Sequence, residues 1–327
     1  MQRIIAFLVL LTAASFAADE PRLIRENLGR IETLDLAAGP GGIKDKPVPP
    51  FRFVEEIKRG ISPKLIATDG NNRKWVVKFG EEAKPENFAS RIAWAAGYVV
   101  RPSYYVASGT IQGTTSLKRT AKFVDSRGNF RDARFQQFDR DDFREIPGSK
   151  VDLYQQKELR ELNGLKLTLL LVANWDVKPA NTALFAAGSQ TYAAITDWGA
   201  SMGDPAAIDP AQRKWNCEAY SARTNQLVRG VENGYVQFDY TQYASRHEHA
   251  LADGIRVADL KWFLSRIGKI TDHQVHAALV ASGASPAEAT CFTRAFRERL
   301  NTFAAAAQDR TPETDTRSRS VTTVRPR

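Results

Sequence analysis

Asn174-Trp175-Asp176-Val177-Lys178-Pro179-Ala180-Asn181 is followed by Ile195-Thr196-Asp197-Trp198-Gly199. The first run holds Asp-x-Lys-Pro-x-Asn directly before a strand signal, and the second closes an apolar run with Asp-aromatic-Gly. Asp176 falls in a loop, where a carboxylate can accept a hydrogen bond from an attacking hydroxyl. Lys178 can neutralise charge on a group being transferred. Asn181 offers a neutral oxygen to a divalent cation, and Pro179 stiffens the loop between them. Asp197 ends a strand, with Gly199 freeing the backbone beyond it, and is placed to hold a metal. The sixteen-residue separation of Asn181 and Asp197 fits a strand-turn-strand hairpin, which would bring the two ligands together. A base, a cation and two metal ligands in this chain order are what phosphoryl transfer uses. For each piece alone the plainer alternatives are a polar loop that caps its neighbours and an ordinary Asp-Gly turn.

That chemistry also needs a lysine on the phosphates and a carboxylate to orient it. Lys78 lies in Trp75-Val76-Val77-Lys78-Phe79. If Trp75 and Val77 share one face of a strand, Val76 and Lys78 share the other. A lysine on an apolar face is costly without an anionic partner, and an ATP phosphate would be one. The alternative is a sheet-edge lysine with its head in water. Glu86 opens the next helix eight residues later and could pair with Lys78; it would also stabilise the helix dipole without any such role. Asp19, Glu20, Glu81 and Glu82 fall outside that helix pattern. Gly60-Ile61-Ser62-Pro63-Lys64 is no G-x-G-x-x-G loop, yet its backbone N–H groups and the Ser62 hydroxyl could contact phosphates, with Lys64 nearby.

The elements that must position these residues follow from pattern. Lys64 to Thr68 and Lys74 to Phe79 flank the turn cluster Asp69-Gly70-Asn71-Asn72 and read as a hairpin. A helix follows, with Pro85 at its first position, Glu86 in its first turn and Gly97 at its end. Tyr104 to Val106, Gly113 to Val124 and Phe130 to Phe138 suggest further strands, and Leu153 to Ala173 a buried helix. The pair Thr182 to Phe185 and Thr191 to Thr196 joins across Gly188-Ser189. Helices are expected at Tyr243 to Asp253, Val257 to Ile267, Thr271 to Ser282 and Pro286 to Ala306, the last capped by Ser285. Residues 18 to about 36 carry apolar side chains at helical spacing, and residues 38 to 50 form a Pro/Gly-rich arm. The expected division is therefore 1–17, 18–50, a sheet-rich unit 51–145, a helical unit 146–308 and a polar tail 309–327.

The chain has 327 residues, 43% hydrophobic content and a formal net charge of +9, enough for one large domain or two cored lobes. The positive charge is dispersed and no nucleic-acid-binding signature accompanies it, so nucleic acid is not an expected partner. Arg3, the apolar run Ile4 to Ala14 and Ser15-Phe16-Ala17 read as a signal peptide cleaved after Ala17, giving an exported, periplasmic or extracellular protein. No later segment is apolar enough to span a membrane. Cys217 and Cys291 could pair in an oxidising compartment; two unpaired buried thiols is the reading preferred. The four histidines, His247, His249, His273 and His276, read as structural or solvated.

Val-Val-Lys78, Glu86 opening a helix, Asn-Trp-Asp-Val-Lys-Pro-Ala-Asn and Ile-Thr-Asp-Trp-Gly together resemble the protein-kinase-like superfamily over roughly residues 55 to 205. The Gly-Ile-Ser-Pro-Lys entry looks more like the HipA-type and phosphoinositide-kinase-like branches. The resemblance implies an α+β fold of two lobes, a small β-rich one with a single helix and a larger helical one. It implies ATP with Mg2+ (or Mn2+), Lys78 on the phosphates braced by Glu86, Asp176 as catalytic carboxylate, and Asn181 and Asp197 as metal ligands. The usual His-Arg before the catalytic Asp is Asn174-Trp175, the aromatic after Asp197 is Trp198, and no Ala-Pro-Glu segment follows. The acceptor implied is a hydroxyl on a protein, a sugar or a lipid head group. Transfer of AMP by the same site, a catalytically silent nucleotide-binding or interaction module, and a structural envelope protein whose motifs are coincidental are the alternatives.

Overall fold

A computed structural model describes residues 21–25, 29–138, 143–152, 159–224, 226–239 and 251–308. Five strands, β1 (Phe51–Ile57), β2 (Lys64–Thr68), β3 (Lys74–Phe79), β4 (Ser103–Gln112) and β5 (Asn129–Gln137), close a barrel in the order β1-β2-β3-β5-β4. Alternation along β3 sends Trp75, Val77 and Phe79 inward, where they meet Phe51, Leu65, Tyr104 and Phe135. Val76 and Lys78 point to the outer face, as their spacing predicts. Helix α1 (Ala83–Ala95) packs on that face against β4 and β5. Its other side joins the second core, where the Phe88 ring meets Phe296 edge-on at 5.9 Å. Being covered on both sides, α1 buries even Glu86, Asn87 and Arg91.

The second core is built on α2 (Arg160–Leu171), α3 (Cys217–Thr224), α4 (Val257–Ile267), α5 (Asp272–Ala281) and α6 (Pro286–Ala307). A three-stranded sheet carries β7 (Thr182–Ala187) between β6 (Arg144–Glu145) and β8 (Gln190–Ile195), and β9 (Val228–Glu232) pairs with β10 (Tyr235–Phe238). Helices α5 and α6 begin with capping boxes, Thr271 with Gln274 and Ser285 with Glu288, so their starts are fixed locally as expected. The architecture is mixed α+β. No described helix is long and apolar enough to cross a membrane.

Several expectations are corrected. The described part of 18–36 is not α-helical: Arg22 donates its amide to Thr191 O (2.9 Å) and its carbonyl accepts from Ala193 (2.8 Å), along the free edge of β8. An open sheet edge offers unpaired backbone groups, and these outweigh a weak helical pattern. Residues 113–124 do not form a strand; the amides of Lys118, Arg119 and Thr120 go instead to the Glu56 carboxylate at 2.7–3.1 Å. Helix α1 starts two residues before Pro85. Cys217 and Cys291 are disulfide-bonded, joining α3 to α6, and not free thiols. His273 and His276 are exposed on α5. Most of the helix expected at Tyr243 to Asp253, the first part of Leu153 to Ala173, the signal peptide expected at 1–17, His247, His249 and the tail lie outside the described residues.

Candidate active site

Strand register sets three cations side by side: Lys64 on β2 opposes Lys78 on β3, which opposes Arg134 on β5. Three carboxylates meet them: Glu86 on α1, Glu82 just before it, and Asp197 just after β8. The Lys78 ammonium lies 2.8 Å from Glu86 Oε2, 2.9 Å from Glu82 Oε2 and 3.5 Å from Asp197 Oδ1. Its side chain is only 3% exposed, so the pairing is made out of water. The second Glu86 oxygen accepts from Arg134 at 2.7 Å, which fixes the carboxylate between two buried cations. Burial works against the Lys78 ammonium, but Glu86, Asp197 and Glu82 outweigh it and hold its pKa above the ordinary lysine value. Lys64, half-buried beside Lys78 and Arg134, is pushed the other way by burial and by those two charges.

Glu82 is the residue the sequence pattern set aside, and it is central. It precedes α1, so helical periodicity cannot assign its direction. One oxygen accepts from Ser62 Oγ (2.7 Å) and Lys78; the other takes the Lys214 ammonium at 2.6 Å. Gly199 presses against it: a Cβ there would stand 2.8 Å from the Glu82 Cβ, so the glycine of Asp-Trp-Gly is needed for close approach. Burial would raise the Glu82 pKa, but Lys78, Lys214 and Ser62 drive it well below the carboxylate range. Asp197 is also lowered, chiefly by Lys78 against its burial.

The Gly60–Pro63 loop is backed by Arg119, whose guanidinium donates to the carbonyls of Ile57, Arg59, Gly60 and Ile61. A guanidinium's fan of donors suits a turn whose carbonyls converge. Ser62 thus faces Glu82, and Lys64 stands on the cation row. Ser62 thereby shares the Glu82 carboxylate with Lys78, and Lys64 faces Lys78 across the β2–β3 register.

The Asp176 loop is tied to the Asp197 segment through backbone groups. Asn174, 2% exposed, donates its amide to Asp197 O (3.2 Å) and accepts from the Asp176 N–H (3.2 Å). Trp175 N–H bonds Ala200 O at 3.2 Å, and Val177 is buried as an anchor. Asn181 donates its Nδ2 to Asp176 O (2.7 Å), and its own carbonyl accepts from Thr196 (2.8 Å), the neighbour of Asp197. The β7–β8 hairpin therefore sets the Asn181 backbone beside Thr196, the residue before Asp197. Lys178 pairs with Asp176 at 2.8 Å, and both remain reachable from solvent.

One ligand oxygen each from Glu82, Glu86 and Asp197 lies within 4.8 Å of the others. Three acids so close need positive charge among them, and here Lys78 supplies it. These three carboxylates offer the oxygen ligands a hard divalent cation takes, and the Asn181 side-chain oxygen is left over once Nδ2 donates to Asp176 O. A cavity of about 1170 Å³ borders the site without containing it. It is lined by Gly80, Lys84, Phe123, Phe130, Lys214 and Trp215, and it touches the acid cluster through Lys214.

The lowered carboxyls define a pH dependence. A carboxyl depressed in the folded state adds stability above its ordinary value, 4.5 for Glu82 and 3.8 for Asp197, and that stability is lost as pH falls through the folded value. Urea midpoints measured at about pH 6 and about pH 3 are expected to fall more for the wild type than for Glu82→Gln.

No protein-family model and no curated protein match the sequence. Solved structures do. The Helicobacter pylori proinflammatory kinase CtkA matches at 15% identity over 78% of this chain and 96% of that chain, with a TM-score of 0.44. The Golgi casein kinase matches at 14% identity over 85% of this chain and 76% of that chain, TM-score 0.42, and a second structure of it holds Mn/ADP. HipA from Shewanella oneidensis MR-1, in complex with HipB and operator DNA, matches at 12% identity over 82% and 76%, TM-score 0.36. This chain is similar to these kinase-like structures at a low level of identity. The chemistry must come from its own residues.

Proposed function

We propose that this chain is an exported ATP- and Mg2+-dependent phosphotransferase of atypical kinase type, with 51–145 as its N-terminal lobe and 146–308 as its C-terminal lobe. The observation that carries the reading is the contact of Lys78 with Asp197 (3.5 Å), residues 119 apart in sequence, beside a loop that ties Asp176 and Asn181 to the same strand end. Lys78, with Lys64 and Ser62 beside it, receives the nucleotide phosphates, and Glu86 braces Lys78. Asp197 and Asn181 hold the divalent ion, which supplies charge neutralisation at the phosphates. Asp176 accepts the proton of an acceptor hydroxyl as that oxygen bonds to the γ-phosphorus and the bond to the departing diphosphate breaks. Lys178 neutralises charge on the transferred group.

Export is supported by the signal-peptide pattern of residues 1–17 and by the Cys217–Cys291 bridge, which suits an oxidising compartment. The acceptor class remains a hydroxyl on a protein, a sugar or a lipid head group. ATP labelled at either the γ- or the α-phosphate, with Mg2+ and casein, a polysaccharide or phosphoinositide vesicles, tests the reaction. The γ-label is expected to be incorporated. Incorporation of the α-label would make the chain an AMP-transferase, and incorporation of neither would leave a silent nucleotide-binding module; both overturn the proposal.

A further inference from the structure

We propose that Lys214 is a positioning residue for Lys78, acting through Glu82, and that the Cys217–Cys291 bridge holds it there, so that nucleotide affinity depends on the oxidation state of the bridge. The proposal rests on the nucleotide-binding reading above and adds its control.

An ammonium has three donors, and those of Lys78 face Glu82 Oε2, Glu86 Oε2 and Asp197 Oδ1 at 2.9, 2.8 and 3.5 Å. A phosphate oxygen reaches that nitrogen only when a carboxylate gives up its share. Glu86 is buried and shared with Arg134. Glu82 has a cation of its own: Lys214 lies 2.6 Å from its Oε1. While Lys214 balances Glu82, Lys78 is not needed for that task. Without Lys214, the Glu82 charge is left to Lys78 and the neutral Ser62 hydroxyl, and the tighter ion pair opposes a phosphate.

Lys214 is held from two sides. Backbone bonds join Trp215 N–H to Ser201 O (3.1 Å) and Asn216 N–H to Met202 O (2.8 Å), just after Asp197-Trp198-Gly199. On the other side, the Trp215 ring packs on Phe292 at 4.8 Å and its Nε1 donates to Glu288 at 2.9 Å. Glu288 also takes Lys84 from α1 at 3.3 Å. Cys217, three residues after Lys214, is bonded to Cys291, one residue before Phe292. The bridge thus fastens the Lys214 segment to α6 covalently. Both cysteines are half-buried, within reach of a small dithiol. Reduction by a dithiol moves two electrons: its thiolate attacks one sulfur, the other cysteine leaves as a thiolate, and the mixed disulfide resolves as the reductant closes its own ring. Two protons complete the cysteine thiols.

Affinity for ATP with Mg2+ is measured by calorimetry on the oxidised full chain, with apo melting as the control for folding. Lys214→Met is expected to weaken binding about tenfold, the worth of one charge-assisted contact. Lys214→Arg should recover most of it. In a Glu82→Gln background the same Lys214→Met change should cost less than about twofold, because the charge it balances is gone. Complete reduction of the wild type, verified by thiol counting, should weaken binding as Lys214→Met does, while the Cys217→Ser/Cys291→Ser variant should sit at the reduced value under either condition. Wild-type affinity in Lys214→Met, or an undiminished loss in the Glu82→Gln background, overturns the positioning role. Affinity unchanged by reduction overturns control by the bridge. A wild type that binds no nucleotide overturns the reading beneath it as well.

Discussion

Lys78→Met is expected to destabilise the folded chain by about 3 kcal/mol at neutral pH, besides removing nucleotide binding. The lysine sits among three carboxylates whose nearest oxygens lie within 4.8 Å of one another. Taking one partner from a buried ion cluster leaves charge uncompensated, at a cost of about 3–5 kcal/mol. The lower end applies here because Arg134 still neutralises Glu86 and Lys214 still neutralises Glu82. Among the described residues the Asp197 carboxylate keeps the Gly199 N–H (3.0 Å) as its hydrogen bond, with Arg134 and Lys64 acting at longer range, and becomes the main liability. The size of the loss is therefore pH-dependent. Acidification protonates the carboxylates, so the gap between wild type and variant narrows as pH falls through the glutamate and aspartate range. Urea unfolding of both proteins checks this, and Lys78→Met with Asp197→Asn should regain part of the loss. A variant as stable as wild type at neutral pH would mean that the acid cluster is not assembled around this ammonium.

Asp176→Asn is expected to lower label transfer by about 10²–10⁴-fold while leaving nucleotide affinity within about twofold of wild type. Among the described residues the Asp176 carboxylate pairs with Lys178 and not with Lys78, while its backbone groups bond the Asn174 and Asn181 side chains, so its loss removes the proton acceptor and spares the phosphate-holding end. The amide is isosteric and keeps the loop's geometry. Asp197→Ala should do the reverse, losing the metal-dependent part of binding, since Asp197 belongs to the oxygen cluster suited to a cation. Single-turnover rates and calorimetric affinities for the two variants separate these outcomes. An Asp176 variant that loses affinity and turnover equally would place this carboxylate on the nucleotide instead.

What could be read from the sequence is what local chemistry decides. Asp69 to Asn72 dictates a turn, and β2 and β3 flank it with the bounds expected. Ser285 and Pro286 set the start of α6, and the Asn181-to-Asp197 spacing sets the β7–β8 hairpin. Lys78 and Glu86 could be paired because strand alternation and a helix start are both local signals. The rest depends on where distant segments meet. Arg134 reaches Glu86 across 48 residues and Lys214 reaches Glu82 across 132, and no periodicity announces either. Glu82 falls outside the helix pattern, yet Gly199 packs against that point from the other end of the motif pair. Asn174 ties the two motif segments together by donating to the Asp197 carbonyl. Its signal was a polar residue inside an apolar run. The disulfide required that α3 and α6 be neighbours, which two cysteines 74 residues apart do not disclose.

The central claim is that Lys78, Asp176, Asn181 and Asp197 line one crevice built for a nucleotide and its divalent ion. Thermal melting of the full chain with ATP and Mg2+, together and separately, tests it most directly. ATP with Mg2+ at a hundred times its dissociation constant is expected to stabilise the fold by about 2.7 kcal/mol, with a smaller gain from ATP alone. An unchanged melting curve, with and without the metal, would contradict the claim.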